Sequence, residues 1–222
     1  MDVSFEALEH RADGGFAPVQ LRLTGGSAGG WQVERNGRAH LAFGPGYALL
    51  TVRACGVCAT DLARRFLPFP LPQVIGHELL AENEAGERCV VEINASCAAR
   101  GQPLCAVCAA GQERHCPERR VLGVHDLPGG FGPFVLAPIR ATRAVPDGLP
   151  DETAVLVEPF AAALHAVRTV VPREGDRVVV LGPRRLGMLV IAALAAERRR
   201  TGRSFEILAA AQVTSISAPV AS

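Results

Sequence analysis

Four cysteines fall within twenty residues: Cys97, Cys105, Cys108 and Cys116, spaced C-x7-C-x2-C-x7-C on a Gly- and Pro-punctuated segment with no helix or strand period. Four thiolates gathered this way make a tetrahedral zinc site, and the metal closes a loop that has little apolar content of its own. The spacing therefore predicts a metal-held lobe over residues 94–120, supported by a scaffold built elsewhere in the chain. The plainer alternative is a three-cysteine remnant, with Cys97 a surface thiol or His115 standing in as fourth ligand.

Composition bounds that scaffold. With 222 residues, 49% hydrophobic content and a formal charge of +1, the chain has the balance of a globular protein, with room for one large domain or two smaller ones. The near-neutral charge and 5% aromatic content argue against a nucleic-acid partner. No apolar run reaches the roughly eighteen residues a membrane helix needs, and the amino end lacks a signal-peptide core. Seven cysteines, clustered and odd in number, fit reduced metal ligands better than disulfides and imply a cytoplasmic setting.

Along the chain, the first forty residues carry glycine pairs and read as short strands and turns. Alternation sharpens from Tyr47 into a half-buried strand that leads to Cys55-Gly-Val-Cys58, and further strands are predicted at Arg88–Ile93 and Phe134–Ala137. After Pro150, Asp151 can start a helix running to Val171, with Pro159 expected to kink it. The apolar run Val178–Leu181, a Gly turn, a helix to Arg200 and the run Phe205–Leu208 then form one βαβ unit with neighbouring parallel strands.

A catalytic zinc needs three mixed protein ligands and one open position. Cys58, His77 and Glu158 supply such a set, with Thr60, Asp61 and Glu78 beside them in sequence. Taken singly, each has an ordinary reading: Cys55 and Cys58 as core or redox thiols, His77 as a buried hydrogen-bonded histidine, Glu158 as a helix surface charge.

Order adds what single residues lack. The segments VRACGVCATDL, VIGHELL, GERCVVEIN, the four-cysteine lobe, GGFGPFV, VEPFAAALHAV and GDRVVVLG follow one another over residues 52–187. In that order the chain resembles the zinc-dependent medium-chain alcohol and polyol dehydrogenases. The resemblance implies a mixed α/β chain: a GroES-like β-barrel catalytic domain over residues 1–168, then an incomplete Rossmann βαβ unit and tail over 169–222. It implies Cys58, His77 and Glu158 as catalytic-zinc ligands and Glu78 as an alternate carboxylate. It makes Thr60 the proton-relay hydroxyl, Asp61 an orienting partner, and Cys97, Cys105, Cys108 and Cys116 the ligands of a structural zinc. The implied reaction moves hydride between a secondary alcohol and NAD or NADP, in a chain that is commonly a homo-oligomer in this family.

Two departures qualify that picture. The phosphate-binding turn reads Gly182-Pro-Arg184-Arg185-Leu186-Gly187, so the middle glycine of a dinucleotide fingerprint is Arg184; no acid follows the second strand, where Ala209-Ala210-Ala211 stand. From Val170 only some fifty residues remain, enough for two strands where such a domain has about six. The sequence thus supports a second expectation, a truncated zinc-binding GroES-like module without hydride chemistry.

Overall fold

The computed structural model describes residues 1–211. Apolar residues at every second position decide its amino-terminal part. Phe5 and Ala7 in β1 (Asp2–His10), Val19, Leu21 and Leu23 in β2 (Phe16–Gly26), and Trp31 and Val33 in β3 (Gly30–Arg35) are buried on one face. With β4 (Arg38–Phe43) these strands form an antiparallel meander. The expectation of short strands and turns is corrected here: β1 and β2 run nine and eleven residues. The glycine pairs sit at hairpins, Gly14-Gly15 between β1 and β2, and Gly25-Gly26 and Gly29-Gly30 at the β2–β3 hairpin, where Gly26 pairs with Gly30, and they do not interrupt the strands.

The second sheet starts at β5 (Tyr47–Gly56). The two residues of β6 (Gln73–Val74) return to β1 and complete the first sheet in the order β4-β3-β2-β1-β6. β5 then pairs with β7 (Glu78–Glu82), which pairs with β8 (Arg88–Val91). β9 (Asn94–Ala95) and β10 (Arg120–Leu122) are antiparallel and bracket the cysteine lobe, with β11 (Asp126–Leu127) beside β10. β12 (Phe134–Pro138) and β13 (Thr142–Ala144) close the second sheet as β12-β5-β7-β8-β13. One apolar core joins the two large sheets, with Trp31, Val33, Leu50, Leu79 and Val135 all buried in it. The indole N–H of Trp31 donates to the Tyr47 carbonyl at 3.0 Å, so its polar end is satisfied as well.

The helices are few. α1 (Ala59–Leu62) follows β5, α2 (Ala106–Ala109) lies in the cysteine lobe, and α3 (Asp151–Ala154) precedes α4 (Val157–Val170). The expected single helix with a kink at Pro159 is instead two helices that break before Val157, and Pro159 occupies the first turn of α4, where its missing N–H costs no hydrogen bond. Asp151 fixes this region: it accepts from Arg88 at 2.7 Å and from Arg53 at 3.0 Å, and Arg88 also donates to the carbonyls of Pro146, Asp147 and Leu149.

The chain divides into two compact units, Met1–Glu158 and a second from Pro159 onward. In the second, β14 (Arg177–Leu181), α5 (Arg185–Thr201) and β15 (Glu206–Ala210) make the expected right-ordered βαβ unit with parallel strands in register from Arg177↔Glu206 to Leu181↔Ala210. Val180, Ala193, Leu194 and Phe205 form its core with Ala163 and Val167 of α4. Among the described residues no helix is long and apolar enough to cross a membrane.

Candidate metal centres

Cys58 ends the extended segment after β5 and caps α1. Its Sγ accepts the Thr60 N–H at 3.5 Å, while its own N–H donates to Asp61 Oδ2 at 2.8 Å, a reciprocal box that fixes the sulfur's direction. The second strap comes from the next segment. Asp61 Oδ1 accepts the Gly76 N–H at 3.2 Å, and the chain turns there at φ +96° before His77. A side chain at Gly76 would sit 2.5 Å from the Phe131 ring and 2.8 Å from Cys55 Sγ, so only glycine allows this approach.

The result is a group of three donors. The sulfur of Cys58, a ring nitrogen of His77 and a carboxylate oxygen of Glu78 lie within 4.8 Å of one another. His77 is buried, and its Nδ1 has no hydrogen-bond partner, although Asp61 Oδ1 is 3.4 Å away. Burial alone would lower its pKa, but the Asp61 carboxylate and then the Cys58 sulfur more than offset this and raise it to about 9. Glu158 stands outside the group of three yet within its field. Burial pushes its carboxyl pKa up, His77 opposes that, and Glu78, Glu92 and Asp61 add to the rise. A half-buried thiol, a buried imidazole and several carboxylates, with no neutralising Lys or Arg among the groups that act on them, form a donor set suited to a divalent cation. Cys55 is not part of it: burial first, then Asp61 and Glu78, hold its thiol up at about 12, as befits a core residue.

The four cysteines of the lobe also converge. Cys97 Sγ lies 3.2 Å from Cys116 Sγ and 3.7 Å from Cys108 Sγ, and Cys105 Sγ lies 3.9 Å from Cys116 Sγ. A tetrahedron with Zn–S bonds of about 2.3 Å has sulfur–sulfur edges of about 3.8 Å, so these separations match a metal cage and not a disulfide. The long first interval is absorbed by a tight turn: Gln102 N–H donates to the Cys97 carbonyl, Gly101 N–H to Ala98, and Arg100 N–H to Ser96. The Arg100 side chain pins that turn to the carbonyls of Ala95 and Glu118, one at each root of the lobe. Burial and the neighbouring sulfurs hold the Cys108 thiol at about 12 without a cation. His115 is exposed and stands outside the four-sulfur group.

In the second unit, Gly182 turns at φ +75° and donates to the Ala210 carbonyl at 2.8 Å. A Cβ on Gly187 would come within 2.4 Å of the Gly182 carbonyl oxygen, so close packing of α5 on β14 requires glycine there. Arg184 caps α5 without a side-chain capping bond, and Arg184, Arg185 and Leu186 are exposed. β15 ends on Leu208, Ala209 and Ala210, none of them acidic. Glu206 lies at its start and pairs with Arg177 at 2.7 Å.

Residues 44–147 match the alcohol dehydrogenase GroES-like domain. The fold thus defines the class as a GroES-like domain, carrying two candidate metal-donor sets, followed by a βαβ unit. Among curated proteins, the chain is 31% identical over 162 residues to the starvation-sensing protein RspB of Escherichia coli K12, covering 67% of this chain and 46% of that one. It is 32% identical over 174 residues to the L-threonine 3-dehydrogenase of Sinorhizobium medicae, covering 70% and 47%. The solved alcohol dehydrogenase rspB of E. coli CFT073, complexed with NADH, superposes with a TM-score of 0.74 at 21% identity, over 96% of this chain and 64% of that one. The 2R,3R-butanediol dehydrogenase of Bacillus subtilis gives 0.63 at 24%, over 92% and 63%. The chain belongs to the zinc-dependent alcohol and polyol dehydrogenase family. It spans about half the length of the curated relatives it matches.

Proposed function

We propose that this chain provides the zinc-holding catalytic part of a dehydrogenase that exchanges hydride between a small secondary alcohol and NAD or NADP. The observation that carries the reading is the meeting of Cys58, His77 and Glu78 within 4.8 Å, backed by one carboxylate, Asp61, that straps both segments together. Cys58 and His77 are the fixed ligand pair. Glu158 is the third ligand and Glu78 its alternate. The four sulfurs of Cys97, Cys105, Cys108 and Cys116 hold a second, structural zinc. A zinc at the first site supplies Lewis acidity, which lowers the pKa of an alcohol hydroxyl.

The chain's own groups do the rest. Asp61 holds Cys58 through its backbone N–H and faces His77 Nδ1, so it orients both donors. Thr60, two residues from Cys58, takes the hydroxyl proton outward. Buried Ile75 and Leu79 flank the segment and limit water there. Gly182, Arg184, Arg185, Leu186 and Gly187 form the turn that would receive the dinucleotide phosphates, with the α5 amino terminus favouring an anion. Residues 1–168 carry the catalytic role and residues 169–222 the cofactor role. Seven free cysteines fit a reducing, cytoplasmic compartment.

Arg184 in place of the middle glycine favours a second reading, a zinc-binding module that does not hold the dinucleotide. Elemental analysis paired with a nicotinamide titration separates the two. Two zincs per chain with NAD(P)H fluorescence enhancement support the dehydrogenase; two zincs without cofactor binding support the module; absence of zinc sinks both.

A further inference from the structure

Nothing in the sequence sets Arg64 apart from its neighbour Arg65, yet Arg65 is exposed while Arg64 is wholly buried. Its guanidinium donates to the carbonyls of Pro70 at 3.0 Å and Phe69 at 3.3 Å, and makes a short bond to the Val124 carbonyl. It also lies 5.5 Å from the centre of the Phe69 ring, which stacks on His125. All three acceptors are neutral. A charge taken fully out of water, bonded through its two terminal nitrogens only to backbone oxygens and with its Nε left without a partner, is held there for geometry, because a planar five-donor fork can span several chain segments where no other side chain can.

The segments it spans are those that build the first metal centre. Arg64 follows Asp61 by three residues, directly after α1. Val124 adjoins Gly123, whose Cβ position would lie 2.7 Å from the Gly76 carbonyl oxygen, so the two backbones touch. Gly76 in turn donates to Asp61 at 3.2 Å and carries His77. The contacts close a ring: Arg64 to Val124, Gly123 to Gly76, Gly76 to Asp61, and back along the chain to Arg64.

We propose that Arg64 is a positioning residue for the Cys58–His77–Glu78 cluster, fixing the separation between the helix that presents Cys58 and the segment that presents His77. The inference rests on the reading of that cluster as a zinc site. It is tested on the full chain with R64K and the milder F69L, the latter removing the ring that faces the guanidinium. Chelator competition resolves the two zincs, with C58S assigning the one at this cluster, and cobalt substitution there reports ligand geometry.

R64K is expected to bind metal at the Cys58 cluster about ten- to a hundredfold more weakly and to shift the cobalt absorption bands. The four-cysteine metal stays unchanged and serves as the internal check on folding. F69L should move both readouts the same way by less, and it decides the matter alone if R64K does not fold. Wild-type affinity and spectrum in a variant that merely melts earlier would make Arg64 a plain fold clamp and overturn the proposal. A wild-type chain without metal at the cluster overturns the metal reading itself, and the inference with it.

Discussion

The two candidate metal centres are assembled in opposite ways. The lobe takes four identical donors from twenty consecutive residues, and it is rooted in the body by the pairing of β9 with β10, by Ala95 and Ala99 packing into the main core, and by the Arg100 clamp at its roots. The Cys58 cluster takes three chemically different donors and depends on a frame made by others: Asp61, the turn at Gly76, and Arg64 behind them. If both hold zinc as proposed, metal would organise chain in the first, and chain would organise metal in the second. Local sets of like ligands favour tight, closed coordination, whereas sets drawn from separate segments suit a site that must stay open for chemistry.

That contrast predicts different consequences of losing metal. Removing the lobe's zinc with a strong chelator, or making C116S, should unfold the lobe, since structural zinc in small peptides contributes about 10–16 kcal/mol at neutral pH. Amide exchange across residues 97–116 should then rise to near unprotected rates while β1 to β5 stay protected. Loss of metal from the other cluster, by C58S or H77A, should leave exchange in the lobe and the strands unchanged and abolish any alcohol oxidation. General unfolding in C58S would erase the distinction.

Second in size is the frame itself. D61N keeps the shape of the carboxylate but not its charge, so the Cys58 cluster should lose roughly ten- to a hundredfold in zinc affinity, with the lobe's affinity unmoved. Exchange of the two carboxylates sharpens the same point: E158Q should weaken zinc more than E78Q if Glu158 is the resident ligand, and the reverse order would give that place to Glu78.

The smallest effect concerns the approach to Glu158. The Asp151 carboxyl is held below its ordinary value, chiefly by the hydrogen bond from Arg88, with burial opposing and Arg53 adding to the shift. A lowered folded pKa means that its stabilisation is present above the unfolded value of about 3.9 and is lost as pH falls through the folded one. Acid titration followed by tryptophan fluorescence should therefore show slightly less loss of stability below that range in D151N than in the parent.

How legible the two centres are in the sequence differs for the same physical reason. The lobe's four thiols can be counted from spacing, and the long interval between Cys97 and Cys105 only needs a turn, which Cys97, Ala98 and Ser96 provide through their carbonyls. The open cluster is half legible. Cys58 and His77 stand out and the family resemblance offers Glu78 as an alternate carboxylate, but adjacent residues in a strand point to opposite faces, so alternation by itself does not bring Glu78 beside His77. They converge because His77 precedes β7 on the Gly76 turn. Arg64 is invisible for a related reason, since its acceptors are backbone oxygens that no pattern marks. In the fold at large, β5 and the βαβ unit follow plainly from alternation and a bounded apolar run. The meander of β1 to β4 is obscured by glycine pairs that read as breaks and are hairpin residues.

Zinc stoichiometry in three preparations tests the central claim most directly. Elemental analysis should give two zincs in the parent chain, one in C58S and one in C116S, each variant losing a different metal. Equal zinc in the parent and in C58S would mean that Cys58, His77 and their carboxylates hold no metal, and the account of this chain as a zinc dehydrogenase would be contradicted.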